Sequence, residues 1–285
     1  MKKKIISVIA GVAGLVAAYF VVSGISNVIY HHPEESATAE STMESAEQGT
    51  EEAKTAMTED EINEMLSGMK ATETAETVTE EQSEVIPVKF EELQAVNPDV
   101  YAWITVPGTD IDYPILQHAS DNSYYLMHNI DGSYGYPGCI YTENMNSKDF
   151  TDNNTVIYGH NMKNGSMFAQ LHKFEDPDFF DANREVLIYL PDEVLHYTIF
   201  AAHIYDDRHL LYSFDFADPD VYQKYLDSVF NIRDMSANID KDVTVTTDDQ
   251  IITLVTCIGS QPNNRLLVQA VLTDREAGTE AENAE

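Results

Sequence analysis

Short runs of alternating or continuous hydrophobic residues, separated by turn sequences, fill the chain after its first 87 residues. Their content of Val, Ile, Tyr and Thr predicts strands at 102–106, 111–116, 139–142, 155–160, 185–190, 194–205, 243–246, 251–257 and 265–272. Helical spacing of hydrophobic residues predicts helices at 90–96, 166–174 and 218–232. Because turns and hairpins join most of the strands, we expect a mainly β fold with peripheral helices. Such a sheet closes on itself as a barrel and is not a doubly wound parallel sheet.

The longest hydrophobic run lies at the N-terminus, where residues 5–30 are 26 positions without a charge. About 20 such residues cross a bilayer as a helix, so residues 1–30 are interpreted as a cytoplasmic tip and a transmembrane anchor. A secretory signal peptide is the alternative, but its hydrophobic region is usually about 7–15 residues long. Lysines at positions 2–4 precede the run. The positive-inside rule therefore predicts a single-pass cell-membrane protein with everything after the anchor outside the cell.

Charge divides the rest of the chain into blocks. The sequence has 49 Asp and Glu against 16 Lys and Arg, a net charge of −33, which argues against a nucleic-acid-binding face. Residues 31–87 are rich in Glu, Ser, Thr and Ala and are expected to form an acidic disordered linker. Residues 88–274 contain the single Trp and are expected to form the folded domain, and 275–285 an acidic tail.

One hydrophobic island interrupts the expected linker. Its hydrophobic residues have the spacing of one helix face and are Met57, Ile62, Met65, Leu66 and Met69. Thr58 stands three residues before Glu61, which is a capping-box pattern. The island is either a marginal short helix within a linker or a helix that docks on a partner.

Two cysteines exclude a disulfide scaffold and a zinc site with four cysteine ligands. Cys257 ends one predicted strand and Arg265 begins the next, so a hairpin brings the thiol and the guanidinium together. The positive charge favours the nucleophilic thiolate, and its N–H groups suit a developing oxyanion. His160 ends another predicted strand beside a turn-rich loop, a usual place for a catalytic residue. Cys139 follows a Pro-Gly turn and is interpreted as a packing residue.

These residues lie in segments that resemble the sortases, the membrane-anchored cysteine transpeptidases of Gram-positive bacteria. The resemblance rests on TVIYGHNMKNGSMF around His160, TLVTC at Cys257 and Arg265 at the head of the following strand. The segments VYAWITVPGTDIDYPILQ and DNSYYLMHN, with the long stretch between His160 and Cys257, resemble class B sortases. The resemblance covers the whole region 88–274 and implies an eight-stranded sortase-type β-barrel.

The resemblance also implies a reaction. Cys257 attacks the carbonyl after a threonine in an LPxTG-like or NPxTN-like sorting signal of a secreted protein, and a thioester acyl-enzyme forms. His160 protonates the departing amine, Arg265 stabilises the oxyanion, and an amine of the cell wall or of a peptidoglycan precursor resolves the thioester. Whether Cys257 and His160 rest as an ion pair or as two neutral groups stays open.

Substrate contacts are carried over by the same resemblance. Asn122 and Leu126 in DNSYYL stand where class B sortases are similar near the signal-peptide groove, and Thr256 precedes the nucleophile. Val255 departs from the small polar residue common at that position. No cofactor and no metal are expected, because no ordered run of oxygen ligands appears in the acidic surface.

Two other interpretations remain beside the transpeptidase. One is a catalytically inactive, membrane-tethered protein that binds the cell wall or acts as a scaffold on a sortase-like barrel. The other is a cysteine hydrolase that forms the same thioester and releases a free acid.

Overall fold

The computed structural model describes residues 57–70 and 84–280. Ten strands lie within these residues, and three pairs of consecutive strands are joined by turns of two to four residues. They are β1 (Glu84–Ile86), β2 (Val100–Val106), β3 (Ile111–Leu116), β4 (Ile140–Thr142), β5 (Asn154–Tyr158), β6 (Glu185–Tyr189), β7 (Glu193–Asp206), β8 (Asn238–Ile239), β9 (Ile251–Ile258) and β10 (Gln261–Glu280).

Helices in the described residues are short and lie outside the sheet. They are α1 (Glu59–Gly68), α2 (Phe90–Val96), α3 (Pro177–Ala182), α4 (Leu210–Ser213) and α5 (Pro219–Phe230), with 3-10 helices at Tyr124–Leu126 and Phe168–Glu175. α5 begins as its sequence predicts, because Asp218 caps the backbone N–H groups of Asp220 and Val221 and Pro219 occupies the first turn.

Eight of the strands close into a barrel, which confirms the expected fold class. Their order around the barrel is β10-β9-β5-β4-β3-β2-β6-β7, and the long antiparallel pairing of β7 with β10 joins the two ends. β1 adds to β10 in parallel and β8 adds to β7. Closure leaves no free edge within the barrel itself.

Among the described residues, the buried hydrophobic side chains form three clusters. Inward-facing residues from all eight barrel strands fill the interior, among them Ile104, Ile188, Leu254 and Val268, each 0% exposed. A second cluster lies between the outer face of β9 and β10 and helix α5. A third cluster surrounds the buried ring of Trp103 and includes residues of α1 and α2. The side of β9 and β10 that faces α5 also carries residues of the functional cleft. The second cluster therefore borders the site described below.

Ordered elements extend beyond the limits 88–274 that the sequence predicts for the folded region. Helix α1 has the expected capping box at Thr58, and its Ile62 and Leu66 are buried in the cluster around Trp103. β1 pairs with the last residues of β10, which runs through 275–280. The composition of these segments did not predict either extension, because exposed acidic residues alternate in them with a few buried residues.

Two local expectations differ from the structure. The strand predicted at 243–246 is wrong: Thr246 closes a turn by donating its N–H to Asp249 Oδ2 at 2.7 Å, and the pairing on that edge is made by β8. The helix expected at 166–174 is the 3-10 helix Phe168–Glu175, followed by α3. At 246–249 the short polar side chains of Thr246 and Asp249 favour a turn over a strand.

The expected anchor at 5–30 lies outside the described residues, as do 31–56, 71–83 and the end of the tail. No helix among the described residues is long and apolar enough to cross a membrane.

Candidate active site

The hairpin of β9 and β10 places Cys257 and Arg265 directly opposite each other, as the sequence predicts. Pairing starts at Ile258 and Gln261, shifts across residues 262–264, and resumes at Cys257 and Arg265. Opposite residues of an antiparallel pair project to the same face, with Cβ atoms about 4.5–5.5 Å apart. The thiol of Cys257 is exposed, so it is accessible to an incoming peptide.

The guanidinium of Arg265 is half-buried and held by backbone carbonyls. Its Nη1 donates to the carbonyl of Pro262 at 2.9 Å and to that of Asn264 at 3.0 Å. These bonds leave other N–H groups of the planar fork for a ligand. The irregular segment between the strands therefore orients the cation beside the thiol.

His160 follows β5, which pairs in parallel with β9. The pairing continues past the strand, because the Gly159 N–H donates to the Val255 carbonyl at 3.1 Å. His160 Nε2 donates to the Leu126 carbonyl at 2.7 Å, and the ring of Tyr136 lies 5.2 Å from the imidazole in an edge contact. These contacts hold the imidazole at the end of β5, next to the strand that carries Cys257.

Glycine is required at position 159 by close packing. A Cβ there would lie 2.5 Å from Ile140 Cδ1 and 2.6 Å from the ring of Phe168, well inside normal contact distance. The absence of a side chain at Gly159 therefore lets the backbone before His160 pack closely against Ile140 and Phe168.

Cys257, His160 and Arg265 line one cleft of about 410 Å³. Tyrosine rings, aliphatic side chains and several charged groups form the rest of its wall. These are Leu126, Tyr141, Glu143, Tyr158, Gly159, Tyr205, Asp206, Asp207, Arg208, His209, Leu210, Val255, Thr256 and Leu267. The cleft combines a thiol, an imidazole and a guanidinium with an apolar floor, a set suited to nucleophilic attack on a carbonyl.

The three expected substrate-binding residues have different positions. Leu126 lines the cleft and is 40% exposed. Thr256 also borders the cleft, but its hydroxyl donates to the Gly159 carbonyl at 2.9 Å and so ties β9 to the segment before His160. Asn122 is not among the lining residues, and its Oδ1 accepts a hydrogen bond from the Asn144 N–H at 2.9 Å.

Two residues that the sequence did not predict contact the backbone carbonyl of Cys257. Asn161 Nδ2 donates to the Cys257 carbonyl at 2.9 Å, and His172 Nε2 lies 3.1 Å from the same oxygen. His172 Nδ1 lies 2.8 Å from Glu175 Oε2. Asn161 could have been predicted because it directly follows His160 in the sequence. His172 lies within a predicted helix, and nothing in the sequence around it points to the site.

Cys139 is a packing residue, as the sequence predicts. It is buried, its thiol donates to the His128 carbonyl at 3.4 Å, and burial raises its pKa far above the ordinary range. Both cysteines are free thiols.

A separate group of ligand-type side chains joins Glu84, His196 and Glu276, whose ligand atoms lie within 4.8 Å of one another. None of the three lines the cleft. His196 Nε2 donates to Glu84 Oε2 at 2.7 Å.

A family model described as the Sortase domain matches residues 104–273. Sortase B of Listeria monocytogenes is 33% identical over 215 residues, which are 74% of this chain and 85% of that protein. Sortase B of Staphylococcus aureus is 28% identical over 195 residues, 68% of this chain and 78% of that protein.

Solved structures give the same result. The X-ray structure of Clostridium perfringens sortase B has a TM-score of 0.59 and 32% identity, and the match covers 65% of this chain and 100% of that one. A Staphylococcus aureus sortase B–substrate complex has a TM-score of 0.57 and 27% identity, covering 65% of this chain and 84% of that one.

Proposed function

Because the chain belongs to the sortase family, as a class B sortase with transpeptidase activity, we propose that Cys257, His160 and Arg265 carry out its reaction. The observation that supports this assignment is their common cleft, with Cys257 and Arg265 opposite each other on β9 and β10. The proposed substrate is a secreted protein with an LPxTG-like or NPxTN-like sorting signal.

In the first half-reaction the sulfur of Cys257 attacks the carbonyl carbon of the signal's threonine. A C–S bond forms, the C–N bond breaks, and the proton of the thiol reaches the departing amine through His160. The oxyanion that develops in between accepts hydrogen bonds from the Arg265 guanidinium. The product is a thioester, and one difficult step has become two easier ones.

In the second half-reaction an amine of the cell wall or of a peptidoglycan precursor attacks the thioester. The C–N bond forms and the C–S bond breaks. His160 takes the proton that the amine loses and passes it to the sulfur, which restores the thiol. The leaving group of the whole reaction is the C-terminal fragment of the sorting signal. The secreted protein thereby becomes attached to the cell wall.

The proposed location of this chemistry is the outer surface of the cell membrane. A membrane anchor at 5–30, preceded by lysines at 2–4, would hold the cleft near both newly secreted proteins and wall precursors. The negative net charge of −33 suits neither nucleic-acid binding nor adhesion to an anionic wall.

The test is a peptide reaction followed by mass spectrometry. The chain is incubated with LPxTG-type and NPxTN-type peptides, with and without triglycine, beside the Cys257→Ala variant. We expect a thioester adduct on Cys257, ligated product only with triglycine, and neither with the variant. Cleavage without ligation would identify a hydrolase, and an intact peptide with every signal in the panel would favour the scaffold.

A further inference from the structure

Two polar atoms in the wall of the cleft are buried without a hydrogen-bond partner. They are Oε2 of Glu143 and the hydroxyl of Tyr205, two of five such side-chain atoms among the described residues. A buried polar atom without a partner costs about 1–3 kcal/mol, and native proteins contain few of them. Their position in the cleft suggests that a ligand supplies the missing partners.

Glu143 is fixed in place by the protein around its free oxygen. The residue is 8% exposed, and its Oε1 accepts a hydrogen bond from His209 Nε2 at 2.8 Å. Its backbone carbonyl accepts a second one from Gln117 Nε2 at 2.9 Å. Because a carboxylate oxygen only accepts, Oε2 requires a donor such as an N–H group.

Tyr205 lies in the same cross-strand row as the reactive pair. It stands opposite Arg265 on β7 and β10, and Arg265 stands opposite Cys257 on β10 and β9. The guanidinium of Arg208 lies 5.4 Å from the tyrosine ring and restrains it. Burial raises the pKa of Tyr205, so the phenol keeps its proton and can donate to a carbonyl.

We infer that Glu143 and Tyr205 bind amide groups of the sorting peptide, Glu143 accepting an N–H and Tyr205 donating to a C=O. This inference rests on the proposed function, because it takes the peptide as the occupant of the cleft. The ligand must both donate and accept. A carboxylate is repelled by Glu143, and a hydrocarbon side chain leaves both atoms unpaired. The amide can belong to the peptide backbone or to a carboxamide side chain.

The first experiment removes each group with the smallest change. Tyr205→Phe deletes only the hydroxyl, and Glu143→Gln replaces the carboxylate with a neutral amide. We expect each variant to lower kcat/KM for peptide cleavage by about fivefold to tenfold, the effect of one hydrogen bond, mainly through KM.

A matched control comes from the same sheet. Thr155, on β5, also has a buried hydroxyl without a partner, but it does not line the cleft. Thr155→Val should keep the wild-type kcat/KM. Thermal unfolding and the rate of Cys257 labelling, measured for all three variants, establish that the site is folded.

The second experiment identifies which amide is bound. One set of peptides carries a backbone ester in place of one amide at successive positions, and a second set replaces carboxamide side chains with leucine. If a backbone amide is bound, one ester lowers wild-type kcat/KM and has little further effect on Tyr205→Phe or Glu143→Gln. If a carboxamide is bound, the leucine peptide shows that non-additivity.

The inference is overturned if the kcat/KM of both variants stays within twofold of wild type. It is also overturned if the loss of kcat/KM in each variant adds to the loss caused by every peptide change. An equal loss in Thr155→Val would also overturn it. In all these cases the wild-type chain still cleaves the peptide, whereas no cleavage by wild type would instead refute the proposed function.

Discussion

The two cysteines lie in different surroundings. Cys257 is exposed in the cleft. Cys139 is buried within the fold, and burial raises the pKa of its thiol. Since the thiolate is the reacting species, a buried thiol with a raised pKa reacts slowly.

We therefore predict that a methanethiosulfonate reagent labels Cys257 at least about a hundredfold faster than Cys139, because burial suppresses both access and ionisation. Labelling is followed by mass spectrometry in the single-thiol variants Cys139→Ser and Cys257→Ser. Comparable rates for the two single-thiol proteins would contradict the assignment of Cys257 as the reactive residue.

The planar guanidinium at position 265 is expected to matter as much as its charge. Arg265→Lys keeps the charge but loses the fork of N–H donors that carbonyls of Pro262 and Asn264 hold in place. We predict that kcat falls about a hundredfold, the usual cost of losing an oxyanion donor, with little change in the free energy of unfolding. A near-normal kcat would leave Arg265 without a catalytic role.

Among the elements, β1 is attached to the barrel partly through a titratable contact. Glu84 of β1 accepts a hydrogen bond from His196 of β7, and Glu276 of β10 and Glu185 of β6 lie nearby. Burial opposes protonation of His196, but the hydrogen bond to Glu84 and these negative charges outweigh it and raise its pKa.

A histidine with a raised folded-state pKa stabilises the fold most when it is protonated. Its contribution is complete below the unfolded pKa, about 6.5, and is lost as the pH rises through the folded-state pKa. We predict that the difference in melting temperature between wild type and His196→Gln shrinks as the pH is raised from 6 to 9. A difference that grows over that range would contradict the assignment.

Helix α1 covers an apolar groove that includes Cys139. Ile62 and Leu66 of α1 line this groove together with Tyr113 and Ile130, and Lys70 after the helix pairs with Asp112 at 2.6 Å. The structure shows this hydrophobic island as a helix packed on the barrel of the same chain, which neither interpretation, a marginal linker helix or a helix that docks on a partner, predicted.

Weakening that contact should expose the buried thiol. We predict that Leu66→Ala lowers the free energy of unfolding by about 2–3 kcal/mol, near the lower end for a large-to-small core change, and speeds labelling of Cys139. The measurement uses the Cys257→Ala background, with the exposed α1 residue Glu64→Gln as control. Unchanged labelling of Cys139 in Leu66→Ala would mean that α1 does not shield it.

For the whole molecule, barrel stability depends on strands that join distant parts of the chain. β10 pairs with β9 along its first half and with β7 along most of its length, and its last residues pair with β1. Arg275 near this end also pairs with Glu193 at 2.6 Å.

Ending the chain at 274 should therefore weaken the closed barrel. We predict that this truncation lowers the melting temperature by about 4–8 °C, equivalent to about 1–2 kcal/mol, because β1 loses its partner strand. Ending the chain at 280 is the control and should match the full chain. An equal melting temperature for both truncations would limit the cooperative unit to residues before 275.

Local sequence alone determined the strands that carry Cys257 and Arg265, the capping box of α1 and helix α5. Each depends on residues within one or two turns of chain, so its pattern is legible without a fold. Tertiary structure alone decided that β7 pairs with β10, that α1 covers Cys139, and that Glu143 and Tyr205 line the cleft beside Cys257. Such contacts join residues far apart in sequence, and their free energy depends on complementary surfaces and chain closure that no local pattern contains.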